Sequence, residues 1–215
     1  MLLSGGLDSA TALYYAGKLG YKISCLVFDY GQRHAKEVFA ARRIARAAGC
    51  GYTVLSISLP WKGSSLLDKK QTIPAGKDTR EIPSTYVPAR NIIFLSYALS
   101  FAEAIKAEAV FIGANAVDYS GYPDCRPQFY RAFEKVIASG TKAGVEKKTI
   151  KVITPLIDLT KARIITLGTA LGVPYGLTWS CYRGGKTPCG ACDSCRLRAK
   201  GFFQAGIVDP AIKTR

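Results

Sequence analysis

The sequence predicts an α/β fold: a five-stranded parallel sheet with helices on both faces and a small cysteine-rich region at its C-terminal end. Three observations predict it. Short apolar runs rich in β-formers alternate with longer amphipathic runs, the pattern of βαβ units and hence of a parallel sheet. A Ser-Gly-Gly turn at Ser4, Gly5 and Gly6 joins the first apolar run to the first helix. Cys181, Cys189, Cys192 and Cys195 crowd together near the C-terminus, while Cys25, Cys50 and Cys125 are scattered.

Each element has its own justification. Leu2 and Leu3 are the stub of a first strand, too short for the centre of a sheet, so the natural chain is expected to begin upstream of Met1. A helix over 8–19 stops at Gly20, the usual C-terminal glycine. Residues 21–29 are rich in β-formers and read as the second strand. In the helix over 35–48, Val38, Ala41, Ile44 and Ala45 share one face, and Arg42, Arg43 and Arg46 the other. A third strand spans 52–59. Residues 60–88 mix Gly, Pro and charge, long enough for a functional loop or lid. A buried helix (91–106), a core strand (109–113), a loop (115–127), a helix (128–139) and a fifth strand (150–155) follow. Thr160 caps a last helix ending near Gly172, with Pro174 beyond. The division expected is 1–176 for the α/β domain and 177–215 for the cysteine region.

Composition narrows the class. Of 215 residues, 48% are apolar and 21% charged, enough to bury a core and too apolar for disorder. The net charge of +15 favours anionic ligands without choosing between nucleotide, nucleic acid and lipid headgroup. No apolar run reaches the ~18–20 residues of a membrane span, and no basic leader precedes an apolar core. A cytoplasmic chain without membrane contact is expected.

Ser4-Gly5-Gly6-Leu7-Asp8-Ser9 lies between a strand and a helix, where a phosphate loop belongs. Its glycines let successive N–H groups converge on an anion, and the helix N-terminus adds partial positive charge. Ser4 and Ser9 add hydroxyls; Asp8 either caps the helix or holds Mg²⁺. The chain has no G-x-x-x-x-G-K-[ST] and no G-x-G-x-x-G, so a Walker site and a dinucleotide site are both unsupported. The loop resembles that of the PP-loop ATP pyrophosphatases, which adenylate a substrate and release pyrophosphate. That resemblance implies an adenine nucleotide α-hydrolase-like fold and an ATP site at Leu3, Ser4, Gly5, Gly6, Leu7, Asp8, Ser9, Ala10 and Thr11.

The four clustered cysteines can close a tetrahedral Zn²⁺ site that leaves no open position and is therefore structural. Their C-x2-C-x2-C run also resembles an iron–sulfur motif. Three further segments follow strand ends, where open α/β sheets bind ligands: Asp29 to His34 (DYGQRH), Val87 to Asn91 (VPARN), and Gly113 to Pro127, containing YSGYPDCRP. Taken together, the chain resembles the 7-cyano-7-deazaguanine synthase family from Leu3 to about Arg198, departing at the short N-terminus and at Ala89, where many members have Gly.

That resemblance implies a zinc-containing homodimer that converts 7-carboxy-7-deazaguanine and ammonia to a nitrile with ATP, for queuosine or archaeosine. Nucleic acid is not required. Arg90 suits a phosphate or carboxylate, and Asn91 and Arg126 belong to the same substrate segments. Asp124 or Asp118 can read adjacent ring donors, and Tyr119 or Tyr122 can stack. His34, the only histidine, is the imidazole available for proton transfer, so Asp8, Arg90 and His34 form the candidate catalytic set. Two other readings are a tRNA-thiolating enzyme with cysteine sulfur carriers and a zinc-ribbon nucleic-acid binder using the basic stretches 42–46, 142–151 and 196–215.

Overall fold

The computed structural model describes residues 1–61, 63–68, 70–74, 82–115 and 121–211. Its strands are parallel and come in two pairs. β1 (Ser24–Asp29) lies beside β2 (Gly51–Ser56), in register from Ser24 opposite Gly51 to Asp29 opposite Ser56. β3 (Ala109–Phe111) lies beside β4 (Lys151–Ile153). Between the pairs run residues 1–3: Leu26 N donates to Met1 O at 2.8 Å, Leu3 N to Leu26 O at 2.9 Å, and Leu2 N to Phe111 O at 3.0 Å.

The expected five-stranded sheet is thus realised, among the described residues, as four strands and a stub that makes one bridge, Leu2 with Leu26. The spatial order is β2, β1, stub, β3, β4. The strands are shorter than their β-forming runs, because a ladder lasts only as long as its partner does.

Seven α-helices are described: α1 (Leu7–Lys18), α2 (Lys36–Ala47), α3 (Arg90–Ala104), α4 (Pro127–Gly140), the single turn α5 (Lys142–Val145), α6 (Lys161–Ala170) and α7 (Asp193–Ala205). Alternating side chains send neighbours in the strands to opposite faces. Leu3, Cys25 and Val27 enter a core with Leu13 of α1, Ile44 of α2, Ile164 of α6 and Phe202 of α7. Leu2, Leu26 and Phe28 enter the other, with Leu95 of α3 and Ile137 of α4. Helices therefore cover both faces, as the βαβ pattern requires.

Thr160 caps α6 as its sequence position predicts, its Oγ1 accepting from Arg163 N. The C-terminal helix α7 goes unread in the sequence because its apolar positions are few, yet Phe202 sits in the first core. Within it, Arg198 is buried against Asp209 at 2.6 Å and also donates to Thr178 Oγ1 and Tyr175 O. No described helix is long and apolar enough to cross a membrane.

The start of α3 carries strain. Ala89 at its N-cap has φ 54° and ψ 23°, the left-handed region that a β-carbon disfavours. The cap is supplied from elsewhere: Asp124 Oδ2 accepts from Asn91 N at 2.9 Å. We expect Ala89→Gly to stabilise the fold by about 1 kcal/mol, raising Tm by ~2–4 °C in a thermal melt. A lowered Tm would show that the left-handed backbone costs nothing here.

Candidate active site

From the stub the chain builds β1 and β2 on one side, then crosses through α3 to build β3 and β4 on the other. Open α/β sheets bind ligands beyond the carboxyl ends of strands at such a switch point. The Ser4–Ser9 turn sits there and opens on a cavity of about 250 Å³. Ser4, Gly6, Asp8 and Ser9 line one side of it; Phe28, Tyr30, Arg90, Asn91 and Phe94 are among the residues of the remaining wall. Phe28 and Phe94 stack at 4.1 Å, making a flat apolar surface within reach of the loop.

The loop is held in shape by its own side chains. Ser4 and Ser9 hydroxyls lie 3.0 Å apart, Ser4 N donates to Ser9 Oγ, and Ser9 Oγ donates to Gly6 O. Gly5 has φ 82°, and a β-carbon there would stand 2.3 Å from Glu37 O and 2.7 Å from Ala41 N. Only hydrogen fits, so the turn rests directly on the first turns of α2. Gly5 O in turn accepts from Trp179 N at 2.9 Å.

Charge enters from four helices. Lys161 Nζ donates to both oxygens of Asp8, at 2.8 and 2.7 Å. Gly201 of α7 makes that reach possible: a β-carbon there would lie 2.5 Å from Lys161 Cγ. Arg90 Nη1 donates to the phenol oxygen of Tyr30 at 3.4 Å. Burial opposes the Arg90 charge, but Tyr30, Cys125 and Tyr122 outweigh it and hold the guanidinium protonated. Glu37 also lines the cavity, and burial pushes its carboxyl up to about 7 even though Arg90 pulls it down.

The residues expected at the ATP and substrate sites fall into four groups. Leu3, Ser4, Gly6, Leu7, Asp8, Ser9, Arg90, Asn91 and Tyr122 line the cavity. Gly5, Ala10 and Thr11 are not among its lining residues; Thr11 Oγ1 donates to Leu7 O and meets Tyr175 OH at 2.9 Å. Asp124 and Arg126 are also off the wall, Asp124 holding Asn91 and Arg126 standing exposed at the N-cap of α4. Asp118 and Tyr119, with part of the 60–88 loop, lie outside the described residues.

His34 points elsewhere than the sequence reading expected. Its Nε2 bonds Cys181 O at 2.9 Å, its ring meets Trp179 edge-on, and it does not line the cavity. Lys161 and Glu37 were missed. Lys161 had a signal, since a cation in the first turn of a helix opposes the dipole and needs another reason to be there. Glu37 had none: an acid at a helix start is ordinary.

Cys181, Cys189, Cys192 and Cys195 place their sulfurs within 4.8 Å of one another. A tetrahedral metal bound by four thiolates at ~2.3 Å requires sulfur separations of about 3.8 Å, and Cys189 and Cys195 stand 4.0 Å apart. Burial raises the Cys189 thiol, but N–H groups of Cys192 and Ala191 prevail and lower it to about 6. The donor set fits one metal ion. The segment also reaches α2, where Lys36 lies over the Trp179 ring at 4.3 Å and donates to Gly185 O and Lys186 O.

Lys161→Met would leave the Asp8 carboxylate in its part-buried place without its partner. We expect a loss of about 1–3 kcal/mol of folding stability, read as a lower urea midpoint. An unchanged midpoint would show that the pair contributes nothing.

These features can be set beside known proteins. The chain resembles in fold the NMN synthetase from Francisella tularensis, with a TM-score of 0.51 at 18% identity over 96% of this chain and 76% of that one. Sequence similarity is far closer to two proteins named 7-cyano-7-deazaguanine synthase. The one from Thermosynechococcus vestitus is 53% identical over 98% of this chain and 93% of its own length. The one from Acetivibrio thermocellus is 54% identical over 97% and 94%. The family model described as "Queuosine biosynthesis protein QueC" matches residues 1–206, spanning the loop, the cavity wall and all four clustered cysteines. With the motifs, the cavity and nearly the whole length in agreement, this chain belongs to the QueC family.

Proposed function

We propose that this chain converts 7-carboxy-7-deazaguanine and ammonia to 7-cyano-7-deazaguanine, consuming ATP and passing through the amide. The observation that carries the reading is the Ser4–Ser9 loop opening on the same cavity as Arg90 and Asn91. A carboxylate accepts ammonia poorly until one of its oxygens becomes a leaving group. Its attack on the α-phosphorus of ATP makes an acyl-adenylate, from which ammonia displaces AMP to give the amide. Adenylation of the amide oxygen then allows AMP to leave again, with formation of the nitrile. No protein nucleophile is needed; the site positions the reactants and stabilises phosphate charge.

In this reading the loop N–H groups and the hydroxyls of Ser4 and Ser9 hold the departing pyrophosphate. Asp8, with Lys161 beside it, would hold Mg²⁺, which neutralises phosphate charge when bound. Arg90 takes the substrate carboxylate or the α-phosphate, and Phe28 and Phe94 accept a flat ring against their stacked faces. Asn91, fixed by Asp124, and Tyr122 contact the base, together with Asp118 and Tyr119.

The four cysteines hold a structural Zn²⁺ in a region, 177–215, packed on the ATP-using domain, 1–176. Because all four thiols serve one ion, none is spare as a sulfur carrier for tRNA thiolation. The reading includes a homodimer working in the cytoplasm, without nucleic acid.

Three measurements test it. AMP and pyrophosphate are expected only when ATP, 7-carboxy-7-deazaguanine and ammonium are all present; ADP and phosphate as products would contradict the proposal. Metal analysis is expected to give one zinc per chain and no visible absorption, whereas a visible band would mean an iron–sulfur cluster. Stripping the metal should lower both stability and pyrophosphate release, because the metal-binding segment bonds Gly5 through Trp179. Unaltered turnover after complete removal would contradict that coupling.

A further inference from the structure

Nitrile formation moves protons as well as phosphate. When ammonia adds to the acyl-adenylate, the tetrahedral adduct carries an N–H proton that must go before AMP departs and the amide forms. In the second half the O-adenylated amide sheds two N–H protons. As the last one leaves, its N–H electron pair becomes the third C–N bond and the C–O pair departs with AMP. Each transfer needs an acceptor at the cavity wall that is unprotonated near neutral pH and free to receive.

The described wall offers two carboxylates, Asp8 and Glu37, and no histidine. Asp8 has both oxygens on Lys161, and His34 is turned to Cys181 O. Glu37 stands on the first turn of α2, whose backbone is pressed against the phosphate loop at Gly5. It therefore sits next to the loop and shares the wall with Arg90.

We propose that the Glu37 carboxylate is the proton carrier of the reaction, accepting the N–H protons of the ammonia adduct and of the adenylated amide and releasing each to solvent between steps. The proposal rests on the activity proposed above. The groups acting on Glu37 are Arg90 from α3 and Tyr30 from the segment after β1. On its own helix Lys36 is engaged with the carbonyls of Gly185 and Lys186, and across the cavity Asp8 is engaged with Lys161. Burial raising the carboxyl to about 7 suits the role, since a base titrating near working pH both accepts and returns a proton efficiently. The base form grows as pH rises through that value, so the rate should climb across it and level off above.

The test uses the full chain as Glu37→Gln and Glu37→Asp. It follows two reactions: ATP–pyrophosphate exchange driven by 7-carboxy-7-deazaguanine, which removes no N–H proton, and nitrile formation from the amide across pH. Glu37→Gln is expected to keep exchange and the substrate KM within about threefold. It should lose roughly 100-fold or more in kcat for nitrile formation, together with the rising limb near neutral pH. Glu37→Asp should recover part of the rate and the limb. The proposal is overturned if Glu37→Gln forms nitrile at the parent rate with the limb intact, or if exchange falls in step with nitrile formation, the mark of a structural role. Absence of exchange in the parent protein would instead overturn the proposed activity, and this inference with it.

Discussion

Between the Ser-Gly-Gly turn and the first turns of α2 there is no room for a β-carbon. At Gly5 the position one would occupy lies 2.3 Å from a backbone carbonyl that cannot move without moving the helix. This contact fixes the loop relative to α2, and so fixes the loop relative to Glu37. From the other side Trp179 N holds Gly5 O. A turn clamped between a helix and the four-cysteine segment keeps its N–H groups pre-aimed, and a pre-aimed donor costs no reorganisation when charge develops on an oxygen.

The same clamp joins the four-cysteine segment to the turn at the cavity, through Trp179 N on Gly5 O. The segment from Trp179 to Cys195 has little apolar core of its own; Ile73, Cys181, Cys192 and Cys195 are the buried members of its cluster. A metal ion held by the four cysteines would supply the order that packing does not. The segment's contacts on this side run through His34, the last residue of DYGQRH, and Lys36, the first residue of α2. His34 thus ties the metal region to the fold, and burial keeps its imidazole below the ordinary histidine range. Arg198 does similar work at the C-terminal end, where its buried pairing with Asp209 anchors α7.

Much of this was legible in the sequence, for physical reasons that differ by residue. The alternation of strands and helices showed because apolar periodicity is a local property. The Ser-Gly-Gly turn showed as a strand-to-helix turn because two adjacent glycines there have few other uses, and it lines the cavity. The cysteines showed because ligand spacing is itself the signal. What stayed hidden depended on distant partners. Asp124 looks like a reader of ring donors, but in the fold it bonds the backbone of Asn91. His34 looks like an acid–base group, but it faces Cys181. Lys161 meets Asp8 across 153 positions, a pairing no local pattern can encode. The lengths of the strands were over-read, since β-forming residues beyond the end of a partner have nothing to pair with.

The central claim is that the clamped loop supports transfer of substrate oxygen to the α-phosphorus of ATP. Turnover of 7-carboxy-7-deazaguanine labelled with heavy oxygen in both carboxylate positions tests this most directly, with mass analysis of all phosphorus products. The account predicts one heavy oxygen in each AMP released and none in pyrophosphate. Label in pyrophosphate or inorganic phosphate, or AMP without label, would contradict it.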